Sequence, residues 1–258
     1  MLRRRSALMA AGGRPPCDRL SFFMLKGVNK AIRDHRMIAA GDSVAVAVSG
    51  GKDSLALVHL LDRRRRDVAD EYSLTALHVT PAEDAPCAAD VDLEALSVCL
   101  ERHDVPLVVA PMAAAESEAA RERVSPCFHC AWRRRRALFQ TADELGCDKI
   151  AFGHHADDIA QTTLLNLFFH GRLETMRARQ ELFDGRLTVI RPLAYVNEKE
   201  IVRLARECGF PPAPAPCVEA AGSRRALMAQ VLRTVEREHP KAKINLWRAT
   251  GGPQRDDD

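Results

Sequence analysis

The chain has 258 residues, 47% hydrophobic and 28% charged, with 38 Lys and Arg against 35 Asp and Glu, which excludes the apolar-poor, highly charged composition of a disordered protein. A formal net charge of +3 leaves any attraction to nucleic acid to local basic clusters. Eight cysteines are too few for a disulfide scaffold and point to a reduced, cytosolic chain, and no apolar run approaches the ~18 residues of a membrane span.

Residues 1–20 read as a basic disordered leader. Their apolar stretch, Ala7 to Ala11, is shorter than the ~7 to 15 residues of a signal-peptide core, and Arg14 and two prolines follow it. From Ser21 a helix is expected, with Phe23, Val28, Ile32 and Met37 on one side, ended by Gly41 and Asp42. Ser43 to Val48 is an apolar strand that enters a Gly-Gly turn, and Ser54 to Leu61 reads as the helix after it. Strands are then expected at Leu74 to Val79, Val105 to Val109, Lys149 to Gly153 and Leu187 to Leu193, with helices between them. Alternating strands and helices imply an α/β fold: a doubly wound, mostly parallel sheet of five strands. Residues 21–209 form this domain, with 113–136 as a polar, cysteine-bearing insertion. Asn197 and Glu200 supply a capping box for the helix ending at Gly209. The Pro-rich segment Phe210 to Cys217 then opens a C-terminal extension, 210–258, with a terminal helix from Ser223.

The strongest chemical signal is Ser49-Gly50-Gly51-Lys52-Asp53-Ser54, between an apolar strand and a helix. Two glycines let backbone N–H groups approach phosphate oxygens, and the helix N-terminus adds partial positive charge. It is not a Walker A loop, which needs glycine where Val46 stands and Ser or Thr where Asp53 stands. A second polar cluster, His154, His155, Asp157 and Asp158, follows Gly153 at the carboxyl end of a strand, where α/β folds bind ligands. His155 and Asp158 equally suit capping of the next helix, so His154 and Asp157 are the preferred candidates.

Cys127-Phe128-His129-Cys130 brings two thiolates within chelating reach, a spacing shared by redox, zinc and iron–sulfur sites. Placement in a polar insertion argues against a thioredoxin-like pair, which opens a helix. Cys217 is a candidate third ligand, leaving one coordination position open; Cys17, Cys87, Cys99, Cys147 and Cys208 read as unliganded. Arg133, Arg134, Arg135 and Arg136 cover every side of a helical turn; they suit either salt bridges to nearby acids or contacts with nucleic-acid phosphates, where their charge would also keep nearby cysteines ionised. Arg63 to Arg66 reads as solvated surface.

SGGKDS in this setting resembles the PP-loop ATP pyrophosphatases, with the adenine nucleotide alpha hydrolase-like fold. The resemblance implies that Ser49, Gly50, Gly51 and Ser54 cradle pyrophosphate, that Lys52 supplies charge, and that Asp53 helps hold Mg2+. Together with PCFHCAWRRRRALFQTADELGCDKIAFGHHADDIAQTTLLNLFFHG, VIRPLAYVNEKEI and the late APC, it is similar to the tRNA 2-thiocytidine synthetase family. That resemblance implies ATP-dependent adenylation of the C2 oxygen of a cytidine, at position 32 of the anticodon loop, and its replacement by sulfur. The implied cofactors are ATP, Mg2+ and a [4Fe-4S] cluster on Cys127, Cys130 and Cys217; the implied partners are tRNA and a sulfur donor such as a cysteine desulfurase. In it, Gly153 lets the backbone approach adenosine, and His154 and Asp157 face the phosphates or the metal.

The chain departs from the family pattern at 79–90 and at 217–223, where PCVEAAGSRRAL carries one cysteine. Two other classes fit parts of the sequence. A lysidine synthetase-like ligase needs no cysteine cluster, and a metal-stabilised, non-catalytic RNA-binding protein would not need Asp53. The apolar helices leave room for a homodimer.

Overall fold

Apolar strands that alternate with amphipathic helices must cover both sheet faces, and the chain does so with helices on each side. The computed structural model describes residues 16–68, 71–82, 85, 91–113, 126–214 and 223–250. Its strands are β1 (Ser43–Ala47), β2 (Ser73–Thr80), β3 (Leu107–Pro111), β4 (Lys149–Ala151), β5 (Arg179–Leu182) and β6 (Leu187–Ile190). Its helices are α1 (Pro16–Asp34), α2 (Lys52–Asp67), α3 (Leu93–Glu101), α4 (Pro126–Glu144), α5 (Ala156–His170), α6 (Glu198–Cys208), α7 (Arg224–Glu238) and α8 (Ala242–Ala249).

The strands form one sheet in the order β3-β2-β1-β4-β6-β5, all pairs parallel except β5 with β6. Among the described residues the sheet has six strands, one more than expected. The addition is β5, a polar edge strand joined to β6 through a tight turn in which Phe183, Asp184 and Gly185 all have positive φ. The expected leader gives its last residues to α1, which begins at Pro16; residues 1–15 lie outside the described residues.

Side chains alternate across the sheet as the strand period requires. Val44, Val46 and Val48 join one core with residues of α1, α2, α3 and α6, while Ala45, Leu77, Ile150 and Val189 join Ala137, Leu138 and Ala142 of α4 in the other. Helix α2 is held on several sides: Leu55, Leu57, Leu60 and Leu61 are all fully buried. At about 1.5–3 kcal/mol for each such side chain, this packing fixes the helix whose first turn carries Lys52 and Asp53. A third cluster, Ala160, Leu164, Met228 and Leu232, seats α7 on α5.

The Arg63 to Arg66 run is paired rather than simply solvated. Arg63 bonds Asp18, Arg64 is buried and donates to Asn29 Oδ1 at 3.0 Å, and Arg65 and Arg66 reach the buried Asp62 at 2.9 and 2.7 Å.

Candidate active site

Strand order reverses between β1 and β4, so the loops leaving their carboxyl ends diverge and open a crevice. The loop after β1 is held by its own hydroxyls. Ser54 Oγ donates to Gly51 O at 2.8 Å and accepts from Ser49 N at 3.2 Å, and Gly51 N points to Ser49 Oγ at 3.4 Å. The Ser54 side chain is thus spent on loop shape; Ser49 is exposed at the rim. Gly50 has φ +78°, and a Cβ there would stand 2.9 Å from Val91 Cγ1, so the turn needs glycine twice over. Gly51 caps α2 without a side-chain bond to the helix.

Gly153 lines the crevice, and the packing around it also requires glycine. A Cβ at this position would lie 2.9 Å from Asp53 C and O and 3.0 Å from Ser54 N. It lets the loop after β4 press on the first turn of α2, bringing the two halves of the site together.

Lys52 Nζ lies 3.2 Å from Asp53 and 3.1 Å from Glu198 Oε1. Burial alone would lower its pKa, but the two carboxylates outweigh that and raise it, so the lysine stays a cation. Asp53 Oδ1 is buried without a hydrogen-bond donor, though Lys52 Nζ stands 3.2 Å away and His155 Nε2 3.6 Å. A buried carboxylate oxygen left in that state suits a hard divalent cation such as Mg2+.

The crevice encloses about 370 Å3 and is lined by Ser49, Asp53, Ser54, Gly153, His154 and Asp158, with His78, Arg134, Leu138 and Arg225. His154 stacks on Phe152 and accepts from Arg191 Nε at 3.3 Å. Burial, reinforced by Arg191, lowers its pKa to about 4, so it is neutral at physiological pH. Asp158 Oδ1 takes a 2.9 Å bond from Arg225, and its Oδ2 accepts from His155 N at 3.1 Å, capping α5 from inside the crevice.

Asp157 points elsewhere. Its Oδ1 accepts from Lys243 Nζ at 2.6 Å and its Oδ2 from Glu198 N at 2.8 Å, tying α5 to α6 and α8. Burial would raise its pKa, but Lys243 and the Glu198 N–H hold it below the usual carboxylate value. Of the pair, Asp158 lines the crevice while also capping α5, as the sequence allowed, and Asp157, preferred from the sequence, ties α5 to α6 and α8.

Helix α4 starts at Pro126, so the cysteine pair opens a helix; residues 114–125 of the expected insertion lie outside the described residues. Helix placement thus no longer argues against a thioredoxin-like pair. The register adds a different argument. Positions 127, 130, 134 and 138 recur at spacings of three and four and share one helical face, and Arg134 and Leu138 on that face line the crevice. Cys130 is buried at 5% exposure. The side chain of Cys127, and all of Cys217 and Cys87, lie outside the described residues, so the expected ligand set is represented there by Cys130.

The four arginines separate by direction. Arg133 is buried and donates through Nε to Ala113 O at 2.8 Å, a structural contact. Arg134 turns into the crevice, and Arg135 and Arg136 are exposed. Arg136 lies over the Trp132 ring at 5.6 Å, and His129 stacks on that ring at 6.3 Å. These aromatics, with Phe128, line a second hollow of about 620 Å3 against β3. Sequence reasoning missed His78, which donates Nδ1–H to Val48 O at 2.8 Å, together with Arg191, Arg225 and Glu198. All four come from separate segments and meet only through the fold.

Comparison with known proteins decides the family. The model of the PP-loop domain matches residues 25–211. The tRNA-cytidine(32) 2-sulfurtransferase of Geobacter metallireducens is 38% identical over 232 residues, 88% of each chain, and that of Geobacter sulfurreducens 37% over 92% of each. The chain belongs to the tRNA-cytidine(32) 2-sulfurtransferase family. All the residues that line the crevice except Arg225 lie within the PP-loop match, and so does the CxxC of α4. The fold of this family member is also that of the U34-tRNA thiolase NcsA from Methanococcus maripaludis, solved with its [4Fe-4S] cluster. The likeness has a TM-score of 0.73 at 21% identity and covers 91% of this chain and 78% of the other.

Proposed function

We propose that this protein thiolates cytidine 32 of tRNA: it adenylates the C2 oxygen with ATP, and sulfur then displaces AMP. The observation that carries the reading is the register of α4, which puts the CxxC on the helical face that also bears Arg134 and Leu138, lining the phosphate crevice. An enzyme that activates an atom and then replaces it needs both chemistries at one base.

The roles follow from the geometry. The Gly50 and Gly51 amides and the Lys52 ammonium take the charge of the departing pyrophosphate, with the N-terminus of α2 behind them. Asp53, with its orphaned oxygen, and Asp158 are the residues that would hold Mg2+ beside the phosphates. Neutral His154, accepting from Arg191 through Nδ1, has Nε2–H left to donate toward a phosphate oxygen. Cys127, Cys130 and Cys217 would hold a [4Fe-4S] cluster, whose fourth iron supplies a site for sulfur delivered by a donor such as a cysteine desulfurase.

The tRNA docks on the outer side of α4. Trp132, 46% exposed and flanked by His129 and Arg136, offers a base-stacking platform, and Arg135 and Arg136 supply phosphate contacts. Among the described residues no helix is long and apolar enough to cross a membrane; the proposed place of action is the cytoplasm, where tRNA is modified. Mass spectrometry of tRNA nucleosides from cells with and without the gene tests the reading. Loss of 2-thiocytidine on deletion is expected, and an unchanged level would overturn it.

A further inference from the structure

Away from the crevice, three side chains that the sequence reading left without a ligand role converge. Cys17 sits in the first turn of α1, His59 in the middle of α2, and Cys208 at the last position of α6. Their Sγ, imidazole nitrogen and Sγ atoms all lie within 4.8 Å of one another, and Cys208 Sγ is 4.0 Å from His59 Nε2. Each of the three is half-buried. Ser21, fully buried, places its hydroxyl 2.7 Å from the same Nε2 while donating to Cys17 O at 2.6 Å.

We infer that Cys17, His59 and Cys208 form a zinc site separate from the CxxC. Two thiolates and one imidazole are the donor set of a borderline-soft ion with tetrahedral preference. Bond lengths of about 2.3 Å to sulfur and 2.0–2.1 Å to nitrogen place tetrahedral donors roughly 3.5–3.8 Å apart. The observed spread therefore needs to close by roughly 1.0–1.3 Å at most, within reach of χ1 adjustments at the two cysteines. Binding replaces two thiol protons, released to solvent; because Ser21 Oγ donates to Cys17 O, His59 Nε2 carries the proton of their contact, and the imidazole must shift that proton to Nδ1 to turn an Nε2 lone pair to the metal; water takes the fourth position.

The location gives the site a purpose. Cys208 is followed directly by Gly209, the cap of α6, and by Phe210, whose ring meets His59 edge-on at 6.2 Å. The Pro-rich segment then runs to Pro214, and a Cβ on Gly50 would stand 3.6 Å from Pro214 Cδ. A metal on Cys208 fixes the root of the strap whose Pro214 passes the phosphate loop.

The test is metal analysis of the full chain purified anaerobically, zinc and iron measured on the same sample. About one zinc per chain is expected beyond the iron. In Cys17→Ser and Cys208→Ser the zinc should fall at least tenfold with iron and circular dichroism unchanged, and in Cys130→Ser the iron should fall with zinc retained. Co2+ added to zinc-stripped protein should give tetrahedral d–d and thiolate charge-transfer bands that Cys208→Ser lacks. Wild-type protein with neither zinc nor cobalt bands, zinc that follows Cys130 instead, or a Cys17–Cys208 disulfide in the anaerobic protein would each overturn the site. None of these readouts depends on which base the enzyme modifies.

Discussion

Gly153→Ala is the sharpest structural perturbation the site offers. The added methyl would stand 2.9 Å from Asp53 C and O and 3.0 Å from Ser54 N, all backbone atoms at the start of a helix packed on several sides. Ordinary contacts need roughly half an ångström more, and no flexible side chain can yield, so the β4–α5 loop and the first turn of α2 must separate. Overpacking of this kind costs about 1–3 kcal/mol, and each kcal/mol lowers the melting midpoint of a chain this size by roughly 2–4 °C. The same displacement moves Lys52 and Asp53 away from His154 and Asp158, so ATP affinity and turnover should fall together. Gly27→Ala is the control: its methyl would meet Tyr195 O at 3.5 Å, an ordinary contact, and inside α1 the change should be neutral or stabilising by up to about 1 kcal/mol. Thermal unfolding and equilibrium nucleotide binding measure both. A Gly153→Ala protein with wild-type midpoint and ATP affinity would refute the claim that this contact assembles the site.

Other outcomes follow from individual contacts. Asp157→Asn should lower stability by about 1–3 kcal/mol through loss of the Lys243 pair, whereas Asp158→Asn, whose amide oxygen still accepts one of its two bonds, should lower it by less than about 1 kcal/mol and cut turnover about a hundredfold; the reverse pattern would restore Asp157 to the crevice. Trp132→Ala should weaken tRNA binding by about 1–3 kcal/mol with ATP affinity unchanged, as read by filter binding and calorimetry. His154 has a pKa of about 4 in the folded chain, against about 6.5 unfolded. The unfolded state therefore binds more protons between those values, and stability is lost as pH falls from about 6.5 toward 4, by an amount on the order of 3 kcal/mol. In urea titrations, His154→Gln should flatten that acid limb; an unaltered limb would remove His154 as its source.

The phosphate loop was legible because its signal is local: an apolar strand, two glycines and a helix start within about a dozen residues. The parallel order was legible too, from strands that alternate with helices. What escaped depends on tertiary neighbours. Asp157 and Asp158 are adjacent in sequence, and their directions are set by distant partners, Glu198 and Lys243 for Asp157 and Arg225 for Asp158. The start of α4 was hidden because Cys, Phe, His and Trp are weak helix formers, and its packing on β2 and β3 supplies what propensity does not. Arg133 looked like its three neighbours until Ala113 O claimed it. Strand β5 carries Arg, Gln and Glu on an edge, yet the Asp184-Gly185 pair before β6 is a hairpin signal that could have disclosed it. The Cys17, His59 and Cys208 cluster joins three helices and leaves no spacing pattern to read.

The most direct test of the account is a single-turnover reaction of the anaerobic protein with ATP, a sulfide source and a tRNA transcript bearing cytidine at position 32. Nucleotide products and modified nucleosides are quantified together. The account predicts AMP and pyrophosphate formed in step with 2-thiocytidine, both abolished by Lys52→Ala, with Cys130→Ser losing the 2-thiocytidine. ADP as the nucleotide product, or 2-thiocytidine formed undiminished by Cys130→Ser, would contradict it.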